Sequence, residues 1–567
     1  MTMTTGTPAE AEENLSDDGL EDSAESEPLE PDSRAHYLLL LVLGIASPLL
    51  VLAKQAQYGL TFPYWDAWRF GELLQSFDAG NGRLLEFWAQ HNEHRILFPR
   101  LMMFALAKLS GWNVAWELGA SVVFAVGMFA LVCWLLARTG NQLPVLHRSL
   151  GAVLAATFIF SWTQNENWVW GFQSNVWMLI FHVVLGVAVL SSGLPYALRV
   201  FLAILCGVVA TYSYANGLLY WPAVALLLWD LRVPRQQRIA GCVAWGLALG
   251  LVAESYFIGY TRPEVSPSLL TPLEHPLLFV QFLAAFLGAP VSTFFAMPAW
   301  HGVDSPPPAW ALLPGPAAVI ALAAIAWRDW RAARDWNALA PWIALAAFAL
   351  GSAAIASAGR CGFGLGQALT SRYITITTLL WIALIALALR AAARGEWLEE
   401  ARARSLGIGL AAVFVLTALY GAASSSAPHE QRCHWKRMGW LALRTGYLNP
   451  LFLRDLSDRP NELAERYLPW MFERKLGGVG VPVEDPKAVA AQFLRDAQQL
   501  AAMRPQPLLL HAGIYADVAA RFDPECPGLA AFQEQLRAAS AAGATSAGSA
   551  PQTAGSAAGQ SQSAGGQ

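Results

Sequence analysis

The chain is 567 residues long, 55% hydrophobic and only 14% charged, with a mean hydropathy of +0.38. That balance excludes an ordinary soluble domain and describes a polytopic membrane protein. The net charge of −4 says little about the rest of the surface, because eleven acids lie between Glu10 and Asp32, ahead of the first apolar run, and nothing in the charge pattern suggests a nucleic-acid partner.

Residues 1–35 hold those acids with almost no aromatic or β-branched residues, so they predict a disordered cytoplasmic tail. The run Tyr37 to Ala53 follows an acidic stretch, not a basic one, and reads as a retained anchor. A loop at 54–113 comes next. Within it "FGELLQSF" and "RLLEFWAQHNEHRILFPRLMMFALAKL" place apolar residues at helical spacing, the pattern of helices lying in the headgroup layer.

Further apolar runs occupy 114–137, 149–162, 174–192, 200–214, 217–230, 239–258, 309–327, 338–357, 374–390 and 406–422, each a candidate span. Residues 96–111 carry Pro99, Arg100 and Lys108, and 277–300 are broken by Pro290, so neither run is read as crossing. Arg-bearing loops at 137–148, 231–238, 327–336 and 390–404 then share one face, which the positive-inside rule makes cytoplasmic. The predicted fold is an all-α polytopic membrane protein of about eleven spans (eleven to thirteen). The domains are the tail, a transmembrane unit at 36–422, a small helical outer domain at 423–537 and a disordered Ala/Gly/Ser/Gln tail at 538–567. Six scattered Cys show no C-x-x-C, which argues against a zinc or redox motif, and Cys433 and Cys526 could pair in an oxidising compartment.

This threading collects the polar stretches on the opposite, outer face: "YWDAW", "HNEHR", "TQNENWVWGFQSN", "YSYANG" and "GRCGFGLGQALTSRY". Asp66, Glu93 and His94 are candidate catalytic groups, since an ionised group near a membrane is costly unless it is wet or paired, and is a functional candidate by default. The structural alternative has Asp66 capping the next helix and Glu93 pairing with Arg69 or Arg95. His91 and His94 would share a face if helical, as two metal ligands or as donors to a phosphate or sugar. Arg95, Arg360 and Arg372 are candidate phosphate ligands, with Tyr373 beside them, because a guanidinium fork matches phosphate oxygens. Arg372 could equally anchor in headgroups. Glu166, Asn167, Trp168, Gln173 and Asn216 supply amide, acid and aromatic groups of the kind a sugar site uses; an interhelical polar clamp is the other reading.

An anchor, a long outer loop bearing an acid and surface helices, some ten further spans and an outer C-terminal domain together resemble the GT-C superfamily of membrane glycosyltransferases. The "WDAW … HNEHR" loop and the late "SRY" resemble an uncharacterised bacterial branch of it. The resemblance covers about residues 37–422, chiefly in topology. It implies transfer of a sugar from a polyprenyl-phosphate donor to a glycan, lipid or protein acceptor on the outer face of the bacterial cytoplasmic membrane. By the same resemblance Asp66 acts at the reaction centre and Arg95, Arg360 and Arg372 hold the donor phosphate. Many members carry two adjacent acids in this loop where this chain has Asp66 alone, which leaves open a divalent cation, magnesium or manganese. A lipid-linked sugar polymerase or ligase, or a flippase, is the rival reading.

Overall fold

The computed structural model describes residues 31–140, 143–263, 267–268, 270–296, 306–393, 400–425, 427–503 and 506–547. Most of the acidic tail and the chain beyond residue 547 lie outside them. The helices begin with α1 (Pro31–Tyr58), α2 (Ala67–Asp78), α3 (Leu97–Ser110), α4 (Ala115–Thr139), α5 (Val145–Ile159), α6 (Asn165–Val169), α7 (Ser174–Ser191) and α8 (Tyr196–Thr211). They continue with α9 (Tyr220–Val224), α10 (Arg235–Phe257), α11 (Thr271–Glu274), α12 (Pro276–Ala296), α13 (Pro314–Ala333), α14 (Trp336–Arg360), α15 (Ser371–Ala393) and α16 (Glu400–Ser425). A final group comprises α17 (Ala427–Arg444), α18 (Pro450–Leu456), α19 (Pro460–Glu462), α20 (Leu468–Arg474), α21 (Pro486–Ala502), α22 (Gln506–Phe522) and α23 (Leu529–Ala547). Residues 538–547, expected to belong to a disordered tail, continue α23.

Unbroken apolar runs become helices because lipid offers no partner for a free backbone N–H or C=O. Among the described residues nine helices are long and apolar enough to cross a bilayer, and Tyr196–Thr211, Ala215–Leu228 and Gly407–Ala423 are shorter apolar helices. The protein is an all-α polytopic membrane protein.

Contacts sort the helix ends into two sets. At one end Arg199 and Arg232 both bind Asp230, at 3.2 and 2.9 Å, and Arg390 of α15 binds Asp329 of α13 at 3.1 Å. Trp342 of α14 donates there to Thr139 Oγ1 of α4 at 3.0 Å. At the other end Gln55 of α1 donates to the Trp168 carbonyl (2.9 Å) and Asn167 to the Arg372 carbonyl (3.0 Å). We call these the Arg-rich end and the site end.

Helix α12 satisfies the length and composition of a span, but its contacts are with the site end along most of its course. Phe286 stacks on Tyr373, near the start of α15, at 5.3 Å. Ser292 donates to the Ala311 carbonyl just before α13, and Phe294 lies against Phe158 near the end of α5 and against Gly421 near the end of α16.

The first loop and the helices after α16 pack together at the site end. Phe62 stacks on Trp440 of α17 at 5.2 Å, and the Trp65 amide and Trp68 indole both donate to the Leu456 carbonyl at 2.9 Å. Helix α3 ends at Gly111, whose φ of 64° suits a residue without Cβ, and the Gly111 carbonyl accepts from Gly477. The expected Cys433–Cys526 disulfide is absent: both thiols are free, Cys433 Sγ lying 3.4 Å from His429 Nε2 one helical turn away in α17.

Candidate active site

The loop at 62–66 turns sharply at Trp65, whose φ of 52° is left-handed and costs a bulky residue about 1–3 kcal/mol. The hydrogen bond to Leu456 holds that turn and sets Asp66 at the start of α2. Asp66 makes no capping hydrogen bond with its side chain. Its carboxylate instead lies 3.6 Å from His91 Nε2, and the His91 ring packs against Phe172 at 5.0 Å. Burial pushes the Asp66 carboxyl up, but His91, Arg69 and Arg372 outweigh it and hold it below the ordinary carboxylate range. The capping alternative therefore does not describe Asp66.

The "HNEHR" stretch is not helical. It forms an antiparallel hairpin of β1 (Gln90–His91) and β2 (His94–Arg95), with His91 opposite His94. Asn92 turns the chain with φ 48°, a conformation Asn tolerates, and its side chain accepts from Arg69 at 2.9 Å. A three-residue spacing that reads as one helical face is thus a pair across a hairpin. The Glu93 carbonyl accepts from Tyr256 (3.0 Å), and its carboxylate pairs with Arg360, rather than Arg69 or Arg95. Burial raises the Glu93 carboxyl while His94 and Arg360 pull it below its ordinary value, and the net direction is down. His94 stacks on Tyr214 at 3.9 Å and burial pushes it down to about 4. The Ala215 amide donates to His94 Nδ1 at 3.2 Å, so the neutral ring carries its proton on Nε2.

These groups line a cavity of about 400 Å³ at the site end. The first loop gives Trp65, Asp66, Arg69 and residues 91 to 94; the segment after α5 gives Trp170, Phe172, Gln173 and Asn175. Tyr214, Pro263, Arg360, Arg372 and Tyr373 complete it, with Asp458 from the helices after α16. Arg372 lies over the Tyr373 ring at 5.5 Å and, among the described residues, forms no salt bridge. The Asn175 Oδ1 is buried without a partner, an amide with capacity left for a ligand.

Several expected site residues point elsewhere. The Arg95 fork binds the carbonyls of Trp88, Tyr256 and Ile258, clamping the hairpin onto α10. Trp168 is fully buried between Phe160 and Trp177 and donates to the Ser161 carbonyl, so its ring does not reach the cavity, whereas Trp170 lines it. Asn167 ties Thr375 (2.6 Å) and the Arg372 carbonyl, the interhelical clamp. Glu166 bonds Ser371 through its backbone, and neither it nor Asn216 is among the lining residues. Conversely Asp458, which lies 3.6 Å from Arg69, joins the cavity with no signal in the local sequence.

A divalent cation does not fit these residues. Among the described residues no three His, Cys, Asp or Glu side chains converge as ligands, and the two acids that the first loop gives to the cavity, Asp66 and Glu93, are engaged by His91 and Arg360.

Fold and cavity together define a helical membrane protein with a charged, aromatic-walled cavity at one end of its bundle. No family model, curated protein or solved structure matches the chain.

Proposed function

We propose that the protein is a membrane glycosyltransferase that moves a sugar from a polyprenyl-phosphate donor to a glycan, lipid or protein acceptor. In this reading eleven segments cross the bacterial cytoplasmic membrane, α3 and α12 do not, and the site end faces the periplasm or exterior. One observation carries the reading: Arg372, without a salt bridge, shares a small cavity with Asp66, His91, Glu93 and Arg360 at one end of the bundle. A lipid-borne phosphate reaches such a place from the bilayer while a polar acceptor reaches it from water. A transporter would instead hold its ligand near the midplane on broken helices.

In the reaction the bond from the sugar anomeric carbon to the phosphate oxygen breaks and a bond to the acceptor oxygen forms. The electron pair leaves with the phosphate, where Arg372 and Arg360 stabilise the added charge. The acceptor proton passes to Asp66. A carboxylate held below its ordinary pKa is a weak base toward a resting hydroxyl, but a hydroxyl bonding to an electron-poor anomeric carbon becomes strongly acidic, so late transfer suffices. Neutral His94 offers its Nε2 proton to a sugar or phosphate oxygen, and Trp170, Gln173 and Asn175 provide the ring face and amides for the sugar.

The test compares surface glycans and lipid-linked sugars in cells with and without the gene. Loss of one glycan substituent together with accumulation of its polyprenyl-phosphate donor is expected. Accumulation confined to the cytoplasmic leaflet would assign transport instead.

A further inference from the structure

Arg360 and Arg372 stand in one cavity but in different states. Arg372 has no salt bridge among the described residues, whereas Arg360 is bound by the Glu93 carboxylate. Glu93 sits at the tip of the two-stranded hairpin, and its backbone is fixed, because Tyr256 donates to its carbonyl at 3.0 Å and Arg69 holds the adjoining Asn92. Its side chain is 28% exposed and that of Arg360 23%, so the pair opens to the cavity and is not sealed in the core. The carboxylate can therefore leave by rotating its own torsions, with the hairpin unmoved.

We propose that Glu93 is an internal anion seated in the phosphate position of Arg360, and that the phosphate of an incoming lipid-linked donor displaces it. The proposal rests on the glycosyltransferase reading and adds an order of events to it. Phosphate meets Arg372 first, since no acid holds it in a salt bridge, then takes Arg360 from Glu93. The donor phosphate is a diester whose two non-bridging oxygens can each face one guanidinium fork, where the carboxylate serves one fork alone. The exchange lowers the affinity of every phosphate by the same factor, so only a ligand with further contacts, such as a polyprenyl chain in the bilayer, binds well. Free phosphate is rejected although two guanidinium groups, Arg360 and Arg372, stand side by side in the cavity lining. Once released, the Glu93 carboxylate turns toward the open side of the cavity.

The test uses the full chain in nanodiscs of zwitterionic lipid, with farnesyl phosphate and inorganic phosphate as separate probes. Glu93→Gln keeps the shape and removes the competing charge, so farnesyl phosphate is expected to bind about two- to fivefold tighter, the scale of a partly exposed ion pair. Glu93→Asp, one methylene shorter, should give a smaller gain. In an Arg360→Ala background the gain from Glu93→Gln should vanish, because the two residues then no longer interact. Inorganic phosphate should gain by a similar factor from a much weaker starting point, which separates a lipid phosphate from a free one. If Glu93→Gln leaves binding unchanged or weakens it while Arg372→Ala weakens it, displacement is wrong and the donor site stands. If neither Arg360→Ala nor Arg372→Ala alters binding, the phosphate site itself is wrong.

Discussion

Both ends of the bundle hold a cavity lined with arginines, and the larger is not the candidate active site. The cavity at the Arg-rich end is about 930 Å³ against about 400 Å³ at the site end. Its arginines are engaged by the protein: Arg232 by Asp230, Arg390 by Asp329 and the Thr139 carbonyl, Arg138 by the Ser191 carbonyl. The last two close the carbonyl ends of α4 and α7, where a cation complements the helix dipole. At the site end Arg95 is used in the same structural way, but Arg372 has no salt bridge and Arg360 is held by a carboxylate that can turn aside. Volume tells little here; the difference lies in which charges already have partners.

The comparison presumes that the two ends face opposite sides of a membrane. In a chain whose exposed Cys242 is replaced by Ser, Phe363→Cys should label with a membrane-impermeant thiol reagent in intact cells with a permeabilised outer layer, and Arg331→Cys should not. Labelling of both, or the reverse, would remove the shared outer face.

Asp66→Asn tests the site end directly. It keeps the size of the side chain but cannot take up a proton, so turnover per inserted molecule is expected to fall by about two to four powers of ten. Farnesyl phosphate binding should persist or tighten, since a negative charge has left the cavity. The matching change at the other end, Asp230→Asn, removes the partner of Arg199 and Arg232 and should lower membrane yield while leaving turnover of the inserted protein near normal. Loss of activity from Asp230→Asn alone, with normal yield, would move the chemistry to the larger cavity.

Paired arginine changes sharpen the contrast. Arg372→Ala should weaken farnesyl phosphate binding about 10- to 100-fold, the worth of charge-assisted hydrogen bonds. Arg372→Lys should lose less, keeping charge without the fork. Arg390→Ala should leave binding intact and reduce thermal stability, because Asp329 and the Thr139 carbonyl each lose a partner. Equal binding by Arg372→Ala and the parent protein would make Arg372 a headgroup anchor.

The apolar runs made the helices legible, since a bilayer solvent admits few alternatives, and the polar stretches between them marked five of the segments that line the cavity. What stayed hidden needed contacts between distant segments. "HNEHR" has helical spacing, yet Arg95 locks it as a hairpin by reaching carbonyls around α10. Trp168 and Trp170 are indistinguishable in sequence, and only their neighbours decide that one is core and the other wall. Asp458 belongs to the site because Leu456 receives both Trp65 and Trp68, a pairing that no local pattern announces.

The smallest expected effect, and the one that separates the ends by pH, follows from their carboxylates. Asp66 and Glu93 at the site end and Asp230 at the Arg-rich end are all held below the ordinary range, in each case because neighbouring cations and hydrogen bonds outweigh burial. Depressed folded-state values mean that the stability these groups contribute is fully present above the unfolded carboxylate value of about 4 and is lost as pH falls through the folded values. Both ends therefore loosen in the same acidic window. On the proposed reading turnover depends on only one of them, through ionised Asp66. Between pH 7 and pH 5 that carboxylate stays charged and turnover should change less than about twofold on its account. The acid limb and the fall in melting temperature should then appear together below about pH 4. In Asp230→Asn the melting temperature should depend less on pH over that window while the acid limb of turnover stays in place. An acid limb between pH 6 and 7 with an unchanged melting temperature would show that some group other than Asp66 takes the acceptor proton.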